Sequence, residues 1–214
     1  MAIIGYNEQE VKTLTDSFQA KSQEVTEYLN NAFQNQIFNK MKDAWVCEEA
    51  KEFADLAVSD VKSLMDGIEQ TNSHNFDVIC KAGQAWAETV KAALSLKSWV
   101  ETAVRPNDDS VITTTASGER GYDPDQCAQI KNNLQTILSE TNSKLDALAN
   151  TCNGSAFVGG NQQENLRNSI ENVKKQLSAK IEELTNAFDA NVKKTEEKYG
   201  QMRTNVESSF TQQN

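Results

Sequence analysis

The chain has 214 residues, 31 acidic against 21 basic side chains and a single histidine, for a net charge of −10 at pH 7. That balance disfavours binding to a nucleic-acid backbone or an anionic lipid surface and suits a chain kept dispersed by self-repulsion. Two prolines in the whole sequence leave room for long unbroken helices, and no run of about 18 apolar residues is present to cross a bilayer.

The opening Met1-Ala2-Ile3-Ile4-Gly5-Tyr6 has no basic n-region and no long apolar stretch, so it does not read as a secretory signal peptide. Residues 7–44 are expected to form the first helix. Val11, Leu14, Phe18, Val25, Tyr28, Leu29, Ala32, Phe33, Ile37 and Met41 recur at the spacing of one helical face. Asn7 is placed to cap its start, and Glu8 and Glu10 suit the positive end of its dipole. Trp45-Val46-Cys47 then interrupts the pattern.

A second helix is expected to run from there to Val104. Its stripe is Ala50, Phe53, Ala54, Ala57, Val58, Val61, Leu64, Met65 and Ile68, resuming at Ile79, Ala82, Trp86, Val90, Ala93, Leu94, Val100 and Val104. Thr71-Asn72-Ser73-His74-Asn75 has weak helix propensity, so a kink or frayed stretch is expected there. Gly83 lies within the stripe, and Pro106 terminates it. Residues 105–122 mix turn formers and β-branched residues without apolar periodicity, and read as a mobile linker between domains.

The third helix is expected at Asp123-Pro124, an N-cap followed by proline in the first turn. Cys127, Ile130, Leu134, Ile137, Leu138, Thr141, Leu145, Leu148 and Cys152 form its stripe, with Asn153-Gly154 as its stop. Phe157-Val158-Gly159 makes a second break. The fourth helix carries the cleanest heptad pattern: Leu166, Ile170, Val173, Leu177, Ile181, Leu184, Phe188, Val192, Thr195, Tyr199, Met202, Val206 and Phe210. The two breaks share a form, an aromatic, then Val, then a small residue. Each precedes a polar run, Glu48-Glu49-Ala50-Lys51 and Gly160-Asn161-Gln162-Gln163. The expected fold is all-α: two tandem helical hairpins, 1–104 turning near 45–47 and 123–214 turning near 153–160, packed as an elongated four-helix bundle.

At these breaks the sequence resembles the small Trp-x-Gly helical-hairpin proteins of Gram-positive type VII secretion. In that family two helices turn at Trp-x-Gly, and an Ala and a Phe follow in the second helix. Trp45, Ala50 and Phe53 match, with Cys47 in place of the glycine. Phe157-Val158-Gly159 keeps the glycine and replaces the tryptophan. Each copy departs at a different position, as expected for two fused hairpins. Family members carry a Tyr-x-x-x-Asp/Glu export signal after the second helix. Here that pattern occurs at Tyr6-Asn7-Glu8-Gln9-Glu10, whereas Tyr199 is followed by Arg203 at the acidic position. Independent of the family, the competing reading is that Trp45 and Phe157 are simply apolar plugs at hairpin ends, which would make the same fold.

No catalytic constellation, metal site or cofactor site is expected. One histidine, His74, cannot supply a Ser/His/Asp or Cys/His set, and Cys47, Cys80, Cys127 and Cys152 lack zinc-ligand spacing. Those cysteines read as small helix residues, although their even number permits two disulfides. Gly159-Gly160 lacks the lysine of a phosphate loop. Glu182-Glu183 and Glu196-Glu197 point different ways from a helix and read as solvated faces.

The resemblance implies a non-enzymatic substrate, adaptor or chaperone of a type VII pathway. It would be cytoplasmic before export and then secreted or held at the cell surface. Its contacts would be helix on helix with a pathway protein or a co-secreted helical partner, without nucleic acid or stable membrane insertion. The fused hairpins imply a monomer with an internal pseudo-dimer, a homodimer following if apolar surface remains on the long second and fourth helices. Trp86, Trp99 and Tyr199 are the candidate partner surface, with ordinary burial as the competing reading. The alternative function is a structural coiled-coil spacer of a phage or cell surface, which predicts an extended rod without a turn at Trp45.

Overall fold

Asn7 sets the first helix as expected: its side-chain oxygen accepts the Glu10 amide at 3.2 Å. In the computed structural model, which describes residues 5–102, 104–153, 156–158 and 162–211, a two-residue strand β1 (Gly5–Tyr6) leads into α1 (Glu8–Ala32). The helix continues through a π-helical segment, Phe33–Phe38, into α2 (Asn39–Ala44). The wide π turn was not foreseen. It brings Phe33, Ile37 and Phe38 all into the core, with the two phenyl rings 6.3 Å apart, where an ordinary turn would aim one of them elsewhere.

Strand β2 (Trp45–Val46) makes the expected turn, and α3 (Glu48–Thr89) runs back. The chain therefore reverses at Trp45, against the spacer reading. Where a kink or frayed stretch was expected, at 71–75, α3 is helical without a break. The helix passes through this stretch because Asn72 and Asn75 are buried with partners: Asn72 donates to Ser22 Oγ at 2.8 Å and Asn75 to Ser169 Oγ at 3.2 Å.

Helix α3 ends at Thr89, fifteen residues short of the expected Val104. Lys91 takes a left-handed backbone (φ 56°), and the chain doubles back. Val90, Val100 and Val104, expected on a buried stripe, are exposed. Gly83 lies opposite Val11, near the first turn of α1, so a longer α3 would run past its hairpin partner with nothing to cover. Folded back, Leu94, Leu96 and Trp99 pack against the core instead.

The linker expected over 105–122 is pinned at its start by Arg105 and Asp108, as the end of a longer segment whose earlier part, up to Val104, was expected to be helix. That longer segment runs along the α1/α3 face as a strap, from Lys97, paired with Asp16 at 3.0 Å, to Asp108, paired with Lys51. Between these, Thr102 Oγ1 meets Thr26 Oγ1 at 2.9 Å, and Glu69 accepts the Thr102 amide. Arg105 bridges Asp66 and Glu69 at 2.8 and 2.9 Å. Val111, beyond the last of these, is buried in the core.

Strand β3 (Gly121–Tyr122) precedes α4 (Pro124–Thr151), capped by Asp123 as expected. Its carboxylate accepts the amides of Asp125 and Gln126 at 3.0 and 3.1 Å. Strand β4 (Phe157–Val158) and α5 (Gln162–Thr211) complete the chain. The fold is an all-α bundle. Asn72 to Ser22, Lys180 to Asp60, Lys131 to Asp189 and Lys144 over the Tyr28 ring join α1 with α3, α3 with α5, α5 with α4 and α4 with α1. Every neighbouring pair is antiparallel. Helices α3 and α4 are thus parallel and diagonal, and the strap carries the chain the length of the bundle between them.

The glycines of α3 separate the strap's packing from helix propensity. A methyl at Gly83 would lie 2.8 Å from Val11 Cγ1 and 3.1 Å from Leu94 Cδ2, whereas one at Gly67 would meet nothing within 4 Å. Gly67→Ala is expected to stabilise the protein by about 0.5–1 kcal/mol. Gly83→Ala is expected to lower the urea midpoint despite the same propensity gain, because it pushes Leu94 off α3.

Candidate functional site

The two turns are built alike, and each is held by the other hairpin. In one ladder Trp45 faces Tyr122 and Val46 faces Gly121; in the other Phe157 faces Tyr6 and Val158 faces Gly5. The amide of Asp123 donates to the Ala44 carbonyl at 2.7 Å, and that of Asn7 to the Ala156 carbonyl at 3.2 Å. A Gly-Tyr-Asx sequence thus opens each hairpin. Its Gly-Tyr pairs with the Val and aromatic of the opposite turn, and its Asx caps the helix that follows. The signal was legible as Gly5-Tyr6-Asn7 and Gly121-Tyr122-Asp123. Sequence reasoning used the caps and missed the repeat, because two-residue strands carry no periodicity.

The first turn is sealed by aromatics. Trp45 is fully buried and stacks on Phe53 with centroids 6.2 Å apart; Phe188 of α5 meets both rings edge-on at 5.2 and 5.1 Å. The indole Nε1–H donates to Thr195 Oγ1 at 3.0 Å, and that hydroxyl donates to the Asn191 carbonyl, also at 3.0 Å. A buried indole N–H needs such a partner. Thr195, which the heptad seam listed as one more core position, is therefore the polar contact that fixes α5 to the first turn. Ala50 is fully buried on the same side, its amide against the Cys47 sulfur. Of the residues expected at this turn, Trp45, Val46, Cys47, Ala50 and Phe53 are all buried together.

Charged groups ring this cluster. Lys198 reaches Glu49 at 2.9 Å, Lys194 reaches Glu52 at 3.5 Å, and Tyr199 packs on Tyr122 at 5.6 Å. Burial is the largest single influence on Glu49 and works against its ionisation, but the Lys198 hydrogen bond and charge, a backbone amide and the Cys47 thiol together outweigh it and hold the carboxyl below its ordinary value. At Asp108 burial is again the largest single influence, and Lys51, Asp55 and a backbone amide together outweigh it and lower the carboxyl. All four cysteines carry free thiols. Burial pushes Cys47 and Cys152 up, Cys80 to about 11 and Cys127 to about 12. They are protonated at neutral pH and poor nucleophiles.

At the second turn the backbones of Phe157 and Val158 form β4, and Gly159 lies outside the described residues. The candidate partner surface is not one surface. Trp86 and Trp99 sit toward the strap's start, partly buried against the core, with Trp99 on Phe76 at 5.4 Å; Tyr199 is at the opposite end. Trp99 belongs to the strap and not to a helix. Among the described residues no cluster of three or more His, Cys, Asp or Glu side chains could hold a metal ion, and no helix is long and apolar enough to cross a membrane. No known family model matches the chain, and neither a curated protein nor a solved structure matches it significantly.

Two measurements check this site. Thr195→Val leaves the Trp45 N–H buried and unpaired, so urea unfolding should show a loss of about 1–3 kcal/mol. Trp45→Ala should lose about 3–5 kcal/mol, and the double variant less than the sum. The folded-state values of Glu49 and Asp108 lie below those of the unfolded chain. Their contribution is therefore present above about pH 4 and lost as pH falls through the folded values. A Glu49→Gln/Asp108→Asn variant should accordingly lose less stability than the parent between about pH 5 and about pH 3.

Proposed function

We propose that this chain is a non-enzymatic, fused Trp-x-Gly-type protein of a Gram-positive type VII secretion pathway, a substrate that works through helix-on-helix contacts. The observation that carries the reading is the first turn. Trp45 closes an antiparallel helical hairpin, seated on Phe53 with Ala50 close-packed beside it, at the positions where the family places its Trp, Ala and Phe. The second turn, Phe157-Val158, supports it through its equivalent ladder. Cys47 and Phe157 replace the family's Gly and Trp without loss of the turn.

On this reading the second hairpin takes the place of the usual second chain. Tethering raises its effective concentration, so the four-helix core forms within one molecule. Folding precedes export, the chain being cytoplasmic first and then extracellular by a route that needs no signal peptide. Tyr6-Asn7-Glu8-Gln9-Glu10 matches the export pattern at the start of the first helix, and a helical partner bearing the same pattern could be exported with the chain.

The test is export itself. The epitope-tagged chain, expressed in a Gram-positive host with its type VII locus intact, is expected in the culture supernatant and absent from the supernatant of an isogenic strain lacking the secretion ATPase. Equal extracellular amounts from the two strains would overturn the reading.

A further inference from the structure

The heptad seam of α5 continues past the end of the bundle. Tyr199 is the last of its residues against the rest of the protein, on Tyr122. Residues 200–210 are exposed throughout. Met202, Val206 and Phe210, on one face of this overhang, are 54, 54 and 71 % exposed, and no element among the described residues covers them.

We infer that the overhang binds a second copy of this chain, the two helices pairing antiparallel about Val206. Three features of the tip favour that occupant. The stripe is self-complementary: a twofold axis at Val206 sets Met202 of each copy against Phe210 of the other, as an isologous contact requires. Its charges do not clash, since Arg203 would face Ser209 and Glu207 would face Asn205. And the tip is neutral, its one arginine and one glutamate cancelling, on a chain whose net charge is −10. Bundles meeting side by side would bring the acidic bodies together. Meeting tip to tip, their Tyr199 positions stay roughly 20 Å apart, beyond the screening length of about 8 Å at physiological salt. The overhang acts as a spacer that permits association the bodies oppose.

The contact is small. Three side chains exposed to this extent offer about 350 Å² per copy, near 700 Å² in the pair, below the ~1,200 Å² of stable complexes. The dimer is therefore weak and concentration-dependent, and it forms whether or not the secretion reading holds.

Sedimentation equilibrium of the purified full chain tests this. Between about 10 µM and about 1 mM, dissociation constants worth only about 7 to about 4 kcal/mol, the mass is expected to rise from 23.8 kDa toward twice that value. Val206→Asp sets two carboxylates against each other on the axis and should hold the mass at one chain, with an unchanged circular dichroism melt because the residue lies outside the bundle. Val206→Lys alone should behave the same way, and an equimolar mixture of the two variants should associate again. A parent chain that stays monomeric throughout, or a Val206→Asp variant that associates like the parent, overturns the proposal.

Discussion

Two helical hairpins that pack head to tail cannot be joined by a short loop. Each neighbouring pair of helices here is antiparallel, which lets oppositely directed helix dipoles lie side by side and lets each hairpin's start meet the other's turn. The arrangement leaves α3 ending at one end of the bundle and α4 starting at the other. With α3 running about 63 Å, the chain must travel most of that length before α4 can begin. The strap is that journey. Its contacts with both α1 and α3, through Thr26, Asp66, Glu69 and Lys51, turn an obligatory connection into a cover for the first hairpin.

The head-to-tail arrangement also explains why the turns are alike. Gly-Tyr before α1 pairs with Phe157-Val158, and Gly-Tyr before α4 pairs with Trp45-Val46, in the same register. An approximate twofold axis across the bundle exchanges the hairpins. The interior departs from it. The first turn has Trp45 bonded to Thr195 and bracketed by Phe53 and Phe188, a polar anchor inside an aromatic box. A buried hydrogen bond of this kind adds little net stability but heavily penalises any register that breaks it. Asn72 and Asn75, bonded to Ser22 and Ser169, impose the same kind of register on the middle of the bundle.

Much of this architecture was legible in the sequence, because the apolar stripes of four long helices have one period and one meaning. Val11 through Met41, Ala50 through Ile68, and Leu166 through Phe188 all fall on buried faces. The stretch from Val90 to Val104 misled because helical spacing reports which residues are apolar, not what remains to be covered. Beyond Thr89 a helix would have no neighbour, and Leu94, Leu96 and Trp99 find apolar surface only when the chain turns back. The polar run 71–75 misled in the opposite sense, since propensity counts asparagine as weak and cannot see a serine waiting across the core. The first turn was readable from Trp45, Ala50 and Phe53. Its link to Thr195 was not, because a partner 150 residues away is set by the packing of the second hairpin.

The same approximate symmetry that relates the two turns shows where the halves differ. At the end of α3, the left-handed Lys91 releases the chain from its helix, and Leu94 and Leu96 fold onto the hairpin they came from. At the corresponding end of α5 no such break occurs. The Arg203–Glu207 pair, four residues apart at 2.9 Å, supports the helix as it runs on into solvent. One hairpin thus consumes its surplus apolar residues as a strap, and the other presents them on a projecting tip. The bundle is left with one end closed by its own chain and one end from which apolar surface projects. That polarity could not arise from two identical hairpins, and on the pairing proposed above it is the α5 end through which two copies would meet.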